Sequence, residues 1–147
     1  RLRDRNPFDA LDPGNLQAFL LALEGVSHFL YVAWNAGLGK SVTLFELELQ
    51  AEVDKYAACA SLLWRQGGVA GTDQLARTLF QRVAYDPSLS DEALDRYRHA
   101  NQYAGQYCRH LAQRYAGHET HDMRSELRRF YRLPQGEKVS HIHRMGG

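Results

Sequence analysis

The chain has 147 residues, with 18 Lys+Arg against 17 Asp+Glu and a formal net charge of +1. Its 44% hydrophobic and 24% charged content is ordinary globular composition for about one domain. These values exclude a disordered tail, a collagen-like fibre and a disulfide scaffold, and they argue against a nucleic-acid binder held by charge alone.

The chain opens at Arg1 without Met, and no apolar core follows Arg1, Arg3 and Arg5 before Asn6-Pro7, so residues 1–11 read as an N-terminal arm rather than a signal peptide. Asp12 and Pro13 supply a cap and a first-turn proline for a helix through Trp34, stopped by Gly37 and Gly39. Of the 19 residues from Leu16 to Trp34, 14 are apolar, which approaches the length of a membrane span. Glu24 and His28 stand in mid-run, where an ionisable group at a bilayer centre is costly. The segment therefore reads as a central helix of a bundle, with apolar contact on most sides and no membrane.

Thr43 and Glu46 form a capping box for a second helix that ends at Gly67-Gly68, with Phe45, Leu49, Val53, Tyr56, Ala60 and Leu63 at helical spacing. A shorter helix spans about Thr72 to Ala84, closed by Asp86-Pro87. Ser90 caps a fourth helix, in which Leu94, Tyr97, Asn101, Ala104, Cys108, Leu111 and Tyr115 alternate steps of three and four. A fifth helix fits Thr120 to Leu133, and a last short helix or turn fits Pro134 to His143. The pattern predicts an all-α fold over 1–147, an up-and-down bundle of four main helices with 118–147 as a C-terminal helical extension.

Chemistry-bearing motifs are sparse. Gly37-Leu38-Gly39-Lys40-Ser41 resembles the end of a phosphate loop, but Trp34 stands where the first glycine belongs and a helix precedes it, so it reads as a helix connection. Glu24 and His28 share one face of the most apolar helix, and Glu48 and Glu52 form a second i, i+4 pair. Two readings fit these four residues. In one they are structural pairs, Glu24 bonding His28 or an arginine and the glutamates balanced by a nearby cation. In the other they line a polar or metal site in the core, serving a redox, sensor or small-ligand role. No Glu-x-x-His motif is present, which weakens a di-metal site. His118-Glu119-Thr120-His121 reads as a solvated loop, and Cys59 and Cys108 as buried free thiols suited to a reducing compartment.

Tyr103, Tyr107 and His110 lie beside the fourth helix's seam and are the best candidate contact surface. Asn101 within the seam is the kind of residue that sets register or oligomeric state, and it could pair with Glu24 or Glu48. Near the C-terminus Leu127, Phe130, Tyr131 and Leu133 form an apolar stripe, while Arg124, Arg128 and Arg132 repeat on another face. The stripe is expected to dock on the bundle, with the arginines open to water or to an acidic partner; Glu46, Glu48, Glu52 and Asp54 are the acidic candidates within the chain, through a head-to-tail contact between the two regions. Arg124, Arg128, Arg129 and Arg132 also allow a nucleic-acid accessory role, against which the net charge argues. The resulting expectation is a non-enzymatic cytoplasmic bundle that acts through a protein partner or as a homodimer.

Overall fold

The computed structural model describes residues 4–67, 71–81, 83–115 and 120–146. It is all-α, with helices α1 Leu16–Gly37, α2 Leu44–Arg65, α3 Gly71–Phe80, α4 Asp91–Arg114, α5 His121–Arg132 and α6 Gln135–Gly146.

Local signals place most of the boundaries. The hydroxyls of Thr43, Ser90 and Thr120 accept from the backbone N–H of Glu46, Ala93 and Met123, capping α2, α4 and α5. Only half of the expected capping box forms, because the Glu46 carboxyl turns away to accept from the Tyr31 hydroxyl. The start of α1 also differs from expectation. Asp12 accepts from the Gly14 N–H at 2.6 Å, and Asn15 Oδ1 accepts from the Asp12 N–H at 3.0 Å. Residues 12–15 thus close a turn and the helix begins at Leu16. Gly39, at φ 67°, carries the chain out of α1, so the lysine-bearing loop is a helix connection.

The core takes buried residues from all six helices, and α2 is its centre, packed against α1, α3 and α4. Leu49, Val53, Tyr56, Cys59 and Ala60 of α2 meet Ala100, Ala104, Cys108 and Leu111 of α4, all buried. The small side chains on α4 let the two helices approach closely. Asn101 does not reach Glu24 or Glu48. It donates to the Leu79 carbonyl at 3.0 Å and so satisfies an orphan group at the end of α3.

One expectation about placement needs correction: α1 is a peripheral helix, with few of its apolar residues buried, rather than the central one. The C-terminal extension, α5 and α6, contributes to the core. Phe130 is fully buried and stacks on Tyr107 with ring centroids 4.1 Å apart, and Met123, Lys138 and Ile142 are buried with it. The C-terminal stripe docks as expected and Arg124, Arg128 and Arg132 remain exposed. Phe130→Ala is accordingly expected to cost about 3–4 kcal/mol, the loss typical of a large core truncation. Urea unfolding measures it, and a cost below about 1 kcal/mol would mean that α5 does not belong to the core.

Candidate functional site

The four residues singled out by pattern gather along the α1–α2 seam near α4. Lys55 joins two of them. Its Nζ lies 2.6 Å from Glu52 and 3.5 Å from Glu24. Burial pulls the Lys55 ammonium down, but Glu52 and Glu24 outweigh it and hold its pKa above the ordinary value. Glu48 is bound by Arg96 Nε at 2.9 Å, yet burial still raises its pKa. Glu24 therefore pairs with a lysine, not with His28 as one reading had it. Among the described residues, His28 Nε2 and Glu48 Oε2 are buried without a hydrogen-bond partner. Among the described residues no group of three or more His, Cys, Asp or Glu could hold a metal ion. Lys55 of α2 and Arg96 of α4 are thus the two cations that face the three carboxylates.

A second polar layer lies further along the same seam. Ser27 donates to Asp54 at 2.6 Å, and Gln50 donates to the other Asp54 oxygen at 2.9 Å. Lys138 reaches in from α6, donating to Gln50 Oε1 at 2.8 Å and to the carbonyls of Phe130 and Tyr131. Its ammonium lies 4.3 Å from the Phe130 ring centroid. The three acceptors match the three donors of an ammonium. Burial lowers the Lys138 pKa to about 7, against the opposing pull of Glu46 and Asp54, and burial likewise raises Asp54. Tyr31, pushed upward by burial and by Glu46, closes this layer from α1. The sequence reading missed it. The available signal was the polar series Ser27, Tyr31 and Asn35, which continues the Glu24 and His28 face at four-residue steps.

The consequence is a partly inverted helix. The first half of α1 buries Phe19 and Leu20, but from Glu24 onward its inner side carries the polar groups Ser27, Tyr31 and Asn35, and apolar side chains face out. Leu21 is 73% exposed, Phe29 72%, Val26 55% and Val32 47%. The face lies on a helix that is long and apolar enough to cross a membrane by length and composition.

The other expected contact surface is largely covered. Tyr107 is fully buried beneath Phe130, with its hydroxyl donating to Glu126 at 3.1 Å. Tyr103 packs between Phe45 and His143. His110 is half-buried in an open groove of about 550 Å³ between α4 and α6. Packing under the C-terminal segment thus replaces Tyr107 as a surface residue. The acidic residues proposed to meet Arg124, Arg128 and Arg132 are also engaged within the chain, Glu46 with Tyr31, Glu48 with Arg96, Glu52 with Lys55 and Asp54 with Ser27 and Gln50. His118 and Glu119 lie outside the described residues, and His121 is exposed. Cys59 and Cys108 are free and buried, with burial raising the first to about 12 and the second well above the ordinary thiol value. No family model, curated protein or solved structure matches the chain.

Lys138 supplies a test of the buried layer. Between about pH 7 and the ordinary lysine pKa of about 10.4, the unfolded chain holds a proton that the folded chain lacks, so stability rises with pH. From about pH 6 to 8.5 the gain is expected to be about 2 kcal/mol in urea unfolding. Lys138→Met should abolish that rise, and an unchanged slope in the variant would assign it to another group.

Proposed function

We propose that the protein is a non-enzymatic helical module that acts by docking a protein surface onto the outward face of α1. The observation that carries this is the exposure of Leu21, Val26, Phe29 and Val32 along one side of a single helix. Monomeric soluble proteins rarely leave a contiguous apolar patch of more than a few hundred Å² in water, and larger ones mark interaction sites. The rest of the molecule has no shortage of polar surface, since α4 turns Arg98, His99, Gln102, Gln106 and Arg109 outward. Elsewhere the exposed large apolar residues, such as Phe8, Leu44 and Val83, are scattered rather than aligned along one helix. The free, buried Cys59 and Cys108 support a reducing, cytoplasmic setting.

Photocrosslinking tests this reading. Ala33 is exposed on the same face and the native thiols are buried, so Ala33→Cys can be labelled selectively with a benzophenone maleimide. In an extract of the source cells, adducts are expected from position 33 and not from Gln102→Cys on α4. Excess unlabelled protein should suppress them, whereas excess Phe29→Asp should not. Equal labelling from both positions, or no adduct at position 33, would remove the case for a docking face.

A further inference from the structure

We infer that the occupant of this face is a second copy of the chain, whose α1 lies antiparallel to the first across a two-fold axis at the level of residue 27. The inference rests on α1 being a docking face and adds the partner and its geometry.

The centre line of the outward face runs through Ala18, Ala22, Gly25, Phe29, Val32 and Ala36. The steps alternate four and three, which is the seam of a paired helix. In an antiparallel pair centred at residue 27, Gly25 faces Phe29 of the other copy, Ala22 faces Val32 and Ala18 faces Ala36. Each large residue meets a small one. A two-fold contact requires this reciprocity, since residue i must fit j while j fits i.

Gly25 is the second observation. A Cβ placed there would meet nothing within 4 Å of its own chain. Its φ is not in the left-handed region. Nothing inside the chain calls for glycine at this point, and in mid-helix it costs about 0.5–1 kcal/mol relative to alanine. A protruding aromatic ring from an apposed helix does call for it, and Phe29 is that ring.

Charge separates a second helix from a lipid surface. Helices that lie on membranes carry Lys and Arg along their polar face. Between Leu16 and Gly37 there is no Lys or Arg, and the arm before α1 balances Arg1, Arg3 and Arg5 with Asp4, Asp9 and Asp12. The side chains that pairing would cover, Leu21, Val26, Phe29 and Val32, are 47–73% exposed, and a contact along one helix face falls at the small end of specific interfaces, about 1,200 Å² or less in total.

The test uses the purified full chain. Sedimentation velocity at concentrations up to about 200 µM should show a monomer–dimer equilibrium, and Phe29→Glu should weaken it on the order of 100-fold by placing a charge in the seam. Phe29 is exposed, so far-UV dichroism of the variant should be unchanged. Orientation is read by mixing Ala22→Cys and Val32→Cys proteins under oxidation, where mixed disulfides should outnumber those between identical chains. A monomer throughout, a dimer indifferent to Phe29→Glu, or a preference for like-with-like disulfides would each overturn the inference. If the purified chain is a monomer while position 33 still gives specific adducts in extract, the docking face stands and its occupant is a different protein. If the monomer cosediments with phosphatidylcholine–phosphatidylserine vesicles, the occupant is lipid. Absence of both adducts and dimer defeats the docking face itself.

Discussion

A buried ammonium must be given acceptors, and the arrangement around Lys138 follows from that requirement. Its Nζ is held by Gln50 of α2 and by the last carbonyls of α5, so one side chain of α6 ties three helices together. The carbonyls at Phe130 and Tyr131 belong to the last turn of α5. The Phe130 carbonyl also accepts from the Leu133 N–H at 3.1 Å, which leaves capacity for a second donor, and a cation is favoured at that end. Lys138 thus serves as a C-terminal cap supplied from the next helix, in the dry interior rather than at the surface. The Tyr107–Phe130 stack then seals α5 over α4.

The same requirement propagates outward to α1. Gln50 spans Lys138 and Asp54, and Asp54 in turn accepts from Ser27. Glu46, one turn before Gln50, accepts from Tyr31. The α2 surface that meets α1 is therefore lined with carboxyl and amide groups, and burying it demands donors. Ser27 and Tyr31 supply them, while Glu24 accepts in turn from Lys55 of α2. A helix has one face toward its neighbour and one away from it. With the inner side from Glu24 onward assigned to polar groups, Val26, Phe29 and Val32 are left for the outside. The exposed face is thus the geometric consequence of a polar seam.

Much of the fold was legible because its signals are local. Thr43, Ser90 and Thr120 mark helix starts by chemistry that needs no tertiary partner. The α4 seam at Ala104, Cys108 and Leu111 reads correctly because small and apolar residues there meet α2 directly. Legibility failed where a side chain had two possible uses. The Glu46 carboxyl could return to its own helix start or cross to Tyr31, and only the position of α1 decides between them. Asn101 could have met a glutamate, but the proximity of α3 offers it the Leu79 carbonyl. Glu24, His28, Glu48 and Glu52 were recognisable as unusual. Their true counter-ions, Lys55 and Arg96, follow from packing that no spacing rule contains. The orientation of α1 failed for a different reason. Rich apolarity was read as burial, whereas the polar residues at four-residue steps were the stronger signal of which side faced the protein.

The polar seam also fixes how the outer face is presented. Apolar helix interfaces tolerate repacking, because one methyl group can stand in for another at small cost. Hydrogen-bonded pairs do not slide in that way. Moving α1 one turn along α2 would part Ser27 from Asp54 and Tyr31 from Glu46 together, leaving buried donors and acceptors unmatched at about 1–3 kcal/mol each. Rotating α1 about its axis would expose the same groups and bury Phe29 against carboxyl oxygens. Either movement is opposed by several contacts at once, so Gly25 and Phe29 are held at a defined height and angle on the outside of the protein. A docking seam whose large and small residues must meet in one register needs that fixity, and an α1 packed only by interchangeable apolar contacts would not provide it.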